Sequence, residues 1–136
     1  MNAPAGVKQE ITRLRDFAIE AARLLADRHC EAVRLLDVRG LSQVCDYVLI
    51  GSGTSDRQMK SLADELSDLG RDRDHAVFRM DRDVTVTWVV VDFVGVVVHL
   101  FEPDQRTHYD LEGLWSDARI VPWQREAGAP MNLNPE

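Results

Sequence analysis

From Ile11 onward, Leu14, Phe17, Ala18, Ala21, Ala22, Leu24 and Leu25 recur at three- and four-residue steps, with Arg13, Arg15, Glu20 and Arg23 between them. That spacing lays one apolar stripe along a helix that ends near residues 27–29. EAVRLLDV, Glu31 to Val38, reads as a strand, and Arg39-Gly40 as a turn. DYVLIGSG, from Asp46, is a continuous apolar run, the pattern of a strand buried on both faces. A second helix is expected over about Asp56 to Leu69, with Gly70 as its C-cap. AVFRM, TWVVVDF and VVVHLF read as three further strands. Only Val94-Gly95 separate the last two, which predicts an antiparallel hairpin. Pro103 suits the first turn of a last helix over DQRTHYDLEGLW.

This order predicts an α+β (mixed α/β) domain. About five strands form one mixed sheet, with helices on at least one face. Residues 1–10 are expected to be a flexible terminus. After Trp115 periodicity is lost, and residues 117–136, with three prolines, read as a flexible tail.

In the hairpin, alternation separates two faces. Trp88, Val90 and Asp92 share one side with Val97, His99 and Phe101, whereas Val89, Val91, Val98 and Leu100 share the other. If the second set meets the helices, Trp88, Asp92 and His99 lie on an open face. A tryptophan among aliphatics with a carboxylate at the rim has the composition of a protein-binding patch. The competing reading, with both faces covered, makes Trp88 a core residue.

The stretch GSGTSDRQ, Gly51 to Gln58, joins the apolar strand to the second helix and has the look of a phosphate loop. It lacks the third glycine of a dinucleotide fingerprint, where Asp56 stands, and it is no P-loop. Asp56 would repel a phosphate seeking the N–H groups of that helix. Ser55 and Gln58 form a capping box, which explains the stretch as a strand-to-helix corner. Nucleotidyltransferases resemble this start. They also need paired carboxylates on the next strand to hold metals and a triphosphate. AVFRM has none, and Asp81 and Asp83 fall in a turn beside Arg82.

Composition narrows the function further. The 136 residues fit one domain, with 45% hydrophobic residues and a net charge of −7. An acidic chain without a basic stripe is a poor general binder of nucleic acid, so sequence-specific nucleic-acid binding is not expected, and a basic protein surface is the better partner. No stretch approaches the roughly 18 apolar residues of a membrane span, and no secretory signal is evident. Cys30 and Cys45 are too few for a disulfide framework, which suits a reducing cytoplasm. The four histidines show no metal-ligand spacing. Neither a cofactor, a metal nor a catalytic set is expected.

Three stretches carry a resemblance. They are LLDVRGLSQVCDYVLIGSGTSDRQMKSLADEL, WVVVDFVGVVVHLFEPDQRTHYDLEGLW and the helix before them, together about residues 11–116. In order they show D-V-x-G, D-Y/F-x-(I/L), G-T-S, W-x-V-V-D, V-x-V-H-x-F and R-x-x-Y-x-L-E-x-L-W. In this the chain resembles the ribosomal silencing factor (Iojap-related) family. The resemblance implies a non-enzymatic protein of nucleotidyltransferase-like shape without the catalytic carboxylates. It implies binding to the large ribosomal subunit through ribosomal protein uL-fourteen, a block on small-subunit joining, and lower translation when nutrients are short. It further implies help with large-subunit biogenesis in organellar relatives, and a homodimer for some members. The expected partner-binding residues are Trp88, Asp92, His99, Glu102, Arg106 and Tyr109. The alternative is a nucleotide-binding enzyme of nucleotidyltransferase shape.

Overall fold

The computed structural model describes residues 5–82 and 87–125. The expected flexible residues 1–4, Asp83 of the expected turn, and residues 126–136 of the expected tail lie outside the described residues.

The chain runs α1 (Ala5–Asp27), β1 (Glu31–Asp37), β2 (Tyr47–Ser52), α2 (Asp56–Asp72), β3 (Arg79–Asp81), β4 (Trp88–Asp92), β5 (Val96–Phe101), α3 (Pro103–Tyr109), α4 (Leu111–Leu114) and β6 (Arg119–Ile120). The strands form one six-stranded mixed sheet in the order β3-β4-β5-β2-β1-β6. β2 pairs in parallel with β5 and antiparallel with β1, while β4 and β5 form the expected antiparallel hairpin. β2 lies mid-sheet and is buried along its whole length, as its unbroken apolar run requires.

The helices α1 and α2 cover one face. Phe17, Ala18, Ala21 and Leu25 of α1 and Met59, Leu62 and Leu66 of α2 pack with Leu35, Leu49, Val89, Val91, Val98 and Leu100 in one core. The small Ala18, Ala21 and Ala22 let α1 approach the sheet closely. A second, smaller cluster lies on the other face. Leu36, Val38, Val48, Ile50 and Phe101 meet Trp88, Val97, Leu111 and Trp115 there. Among the described residues only the short α3 and α4 shield this side, and part of the sheet stays open there.

Several expectations shift. The helix expected over residues 103–115 is two helices, because Asp110 sits in the left-handed region (φ 46°, ψ 50°) and turns the chain between them. Gly70 is not a C-cap. α2 runs on through it to Asp72, and a Cβ at Gly70 would collide with the His75 carbonyl oxygen and the Phe93 ring, so close packing explains the glycine. The expected tail starts too early. β6 pairs with β1, Val121 is buried, and the Trp123 indole N–H donates to the Val33 carbonyl (3.2 Å). The first helix likewise begins at Ala5, inside the stretch read as a flexible terminus.

Candidate functional site: the open sheet face

The site is built on β4 and β5. Trp88 pairs with Phe101, Val90 with His99 and Asp92 with Val97, all on the face turned away from α1 and α2. Val89, Val91, Val98 and Leu100 are buried under the helices, so the expected face assignment matches the structure. Trp88 is half-buried, neither sealed in the core nor free in solvent.

Trp88 centres an aromatic cluster. Its ring stacks on Phe101 (centroids 4.8 Å apart, 29° between planes) and meets Tyr109 of α3 at 4.8 Å. Its indole N–H donates to Nδ1 of His99 at 3.1 Å. Phe101 is sealed beneath, and Tyr109 is 50% exposed. Such contacts stabilise by about 0.5–1.5 kcal/mol per pair beyond area burial. They hold a large apolar surface in a fixed orientation.

Beside the cluster runs a groove of ≈ 710 Å³. Val48, Val90, Val97 and His99 of the strands line it together with Val44, Phe78, Val94, Leu111, Leu114 and Trp115, and Asp81, Asp92 and Arg79 supply its charge. Val44 (83%), Phe78 (72%) and Leu114 (71%) are strongly exposed for such apolar residues. A neighbouring hollow lined by Trp88, Tyr109 and Met80 shares Val90 and Asp81 with it. The two hollows therefore adjoin, the groove mainly apolar, with Arg79, Arg82, Asp81 and Asp92 as their charged members. A larger hollow lies between α1 and α2, and its lining is polar: Arg28 pairs with Glu65 at 2.9 Å and Arg125 with Asp27 at 3.1 Å, beside the further carboxylates of Asp16, Asp68 and Asp72.

Each expected residue has a definite place. Trp88, His99 and Tyr109 form one cluster. Asp92 lies at the groove, where one of its oxygens accepts the Val94 N–H (2.7 Å) and shapes the hairpin turn. Glu102 is exposed just before α3, and its side chain makes no capping bond. Arg106 is a correction. It is 8% exposed and points inward. Its Nε and Nη2 donate to the two oxygens of Glu112 (2.9 and 3.0 Å), and Nη1 donates to the Ser52 hydroxyl (2.9 Å). Glu112 also pairs with Arg34 at 3.1 Å. Arg106 is therefore an internal clamp between α3, α4 and the end of β2, and it leaves the set of surface contacts. Sequence reading missed Val44, Phe78, Val94 and Leu114 as lining residues. Little signal was available, since Phe78 reads as part of the strand run AVFRM and Val94 as a hairpin-turn residue before Gly95.

The corner at Ser52 shows what became of the phosphate-loop look. Ser55 caps α2 by accepting the Gln58 N–H at 3.1 Å. Gln58 Oε1 accepts the N–H of Thr54, one residue earlier than a capping box predicts, and its amide donates to the Arg28 carbonyl (2.9 Å). The corner is thus tied to the end of α1. The Ser52 hydroxyl is engaged from within by Arg106. Among the described residues no group of three or more His, Cys, Asp or Glu could hold a metal ion, and no helix is long and apolar enough to cross a membrane.

Burial pushes His99 down to about 4, against an opposing effect of Asp92. The unfolded chain therefore binds the proton that the folded chain refuses between about pH 4 and the ordinary 6.5. Stability is expected to be full above pH 6.5 and to fall as pH drops toward 4, with a slope contribution approaching about 1.4 kcal/mol per pH unit. Chemical denaturation of the wild type and His99→Gln across this window measures it. An identical pH dependence in both proteins would contradict the assignment.

The fold is thus a mixed sheet with two helices on one face and an open aromatic face on the other. The model of the family described as "Ribosomal silencing factor during starvation" matches residues 11–134. The chain is 41% identical over 101 residues to a ribosomal silencing factor of Bacillus subtilis, covering 74% of this chain and 86% of that one. It is 31% identical over 99 residues to a mouse protein named for mitochondrial assembly of the ribosomal large subunit, covering 68% of this chain and 42% of the relative. A crystal structure of a Chromobacterium violaceum protein superposes with a TM-score of 0.69 at 27% identity, covering 90% of this chain and 98% of that chain. The chain belongs to the ribosomal silencing factor family.

Proposed function

We propose that this protein binds the large ribosomal subunit through ribosomal protein uL-fourteen and blocks joining of the small subunit, repressing translation when nutrients are short. The observation that carries this reading is the mainly apolar groove beside Trp88, with the carboxylates of Asp81 and Asp92 among its lining residues. Its composition suits a basic protein surface with exposed apolar residues. The net charge of −7 repels ribosomal RNA elsewhere and favours landing only where a basic protein surfaces. The block itself needs no chemistry, since a folded domain of this size excludes the other subunit by volume. The mouse relative's name supports an added role in large-subunit assembly. The proposal extends to a cytoplasmic location and to a homodimer, the latter checked by sedimentation of the free protein.

The nucleotide-binding alternative draws no support from the corner, because Arg106 engages the Ser52 hydroxyl and the exposed Asp56 occupies the first turn of α2. Sucrose gradients with purified subunits test the proposal. The protein is expected to travel with the large subunit and to reduce the joined peak as its concentration rises. Joining that is unaffected at saturating protein would overturn the block, and failure to comigrate would overturn the binding.

A further inference from the structure

We infer that His99 sets the specificity of the open groove by presenting its Nε2–H as a hydrogen-bond donor, so that the partner must place an oxygen acceptor, such as a main-chain carbonyl, against it. This rests on the docking reading above and adds the chemistry of recognition. The Trp88 indole N–H has no lone pair and can only donate. It lies 3.1 Å from Nδ1 of His99, so Nδ1 must accept and carries no proton. Burial keeps the ring neutral at pH 7. A neutral imidazole has one N–H, which is then on Nε2. Among the described residues Nε2 has no hydrogen-bond partner, although the ring lines an otherwise mainly apolar groove.

Water satisfies that donor while the face is free. Docking removes the water, and a buried donor left without an acceptor is costly. Hydrocarbon against Nε2 therefore weakens the complex, and a lysine or arginine head placed there offers only further donors. The Asp92 carboxylate lines the same groove and suits those cations instead, whereas Asp81 already lies 3.6 Å from Arg79. The groove thus distinguishes positions. Acceptors belong against His99, and basic groups belong at Asp92.

Titration calorimetry with purified uL-fourteen tests this on the full chain. Both His99→Gln and His99→Leu deprive Trp88 of its acceptor at Nδ1, and only glutamine keeps a donor where Nε2 stood. The difference between the two variants therefore reads the donor alone. His99→Leu is expected to bind roughly tenfold or more weakly than wild type, and His99→Gln to recover most of that loss. Equal affinities for the two variants would overturn the inference. Long-range proton–nitrogen correlation spectra of the unsubstituted protein give an independent measurement. The Nε2–H tautomer is expected alone in the free state, with its proton protected and shifted downfield in the complex. An Nδ1–H tautomer, or an Nε2–H that still exchanges freely in the complex, would overturn it as well. If wild type binds and Trp88→Ala does not, while both His99 variants bind like wild type, only this inference fails. If wild type shows no binding to uL-fourteen, the docking reading fails and this inference with it.

Discussion

Trp88→Ala is expected to lose comigration with the large subunit while the domain stays folded. Trp88 is the junction of the open face. It touches His99 through a 3.1 Å hydrogen bond, and Phe101 and Tyr109 through ring contacts of 4.8 Å. Truncation removes the largest apolar surface, uncovers Phe101 and leaves Nδ1 of His99 without its donor. Half-buried tryptophans in such settings are the residues that dominate interfaces, and their removal costs about 2–4 kcal/mol of binding. That corresponds to a loss of roughly 30- to 1,000-fold in affinity. Trp88→Phe keeps a ring against Phe101 and lacks the indole N–H, so it is expected to fall between the two. Lys60→Ala, on the exposed side of α2, is expected to bind as wild type. Gradient comigration and suppression of joining read the effect, and a melting curve confirms the fold. If Trp88→Ala binds like wild type, the patch is misplaced, although the family's function survives.

Much of this site was legible because the decisive patterns are local. Alternation along TWVVVDF and VVVHLF sorted the two faces of the hairpin, and the burial of Val89, Val91, Val98 and Leu100 under the helices follows it. The unbroken apolar run at Tyr47–Ile50 announced a central strand. The step of three and four residues along α1 announced its buried stripe.

What escaped depends on contacts between distant residues. Asp110 takes a left-handed conformation and its carboxylate accepts the Gly113 N–H (3.3 Å), so one apolar stripe covers two helices. In DQRTHYDLEGLW only Asp110 hints at that break, since aspartate caps helices and tolerates the left-handed region, and the apolar stripe running past it hides the hint. The edge strand β6 consists of two exposed residues, Arg119 and Ile120, whose pairing with β1 is set by tertiary position. Arg106 reads as a surface charge in any helical projection. Only the fold brings it to Ser52, 54 residues away, and to Glu112 across the helix break.

That clamp carries the second large expectation. Arg106→Met is expected to destabilise the domain by about 2–4 kcal/mol, a fall in melting temperature of roughly 10 °C. Methionine fills the space and removes the fork. It strands the Ser52 hydroxyl in a buried site and leaves Glu112 with Arg34 alone. The Glu112 side chain is 31% exposed, so water offsets part of its loss and the lower half of the range is expected. The pH dependence should change with it. Arg106 holds the Glu112 carboxyl below its ordinary 4.5, so the pair's contribution is complete above that pH and fades as acid protonates the folded protein. Arg106→Met should lose most of that acid dependence, and Glu112→Gln should reproduce the loss with a smaller drop in melting temperature. Because the clamp anchors α3 and α4, which carry Tyr109, Leu111 and Leu114, the melting of these two helices should precede that of the sheet in the variant. Hydrogen exchange reads this directly. Uniform protection across α3, α4 and β5 in Arg106→Met would show that packing of Leu111 and Trp115 on the sheet holds the wall, and that the ion pair contributes little.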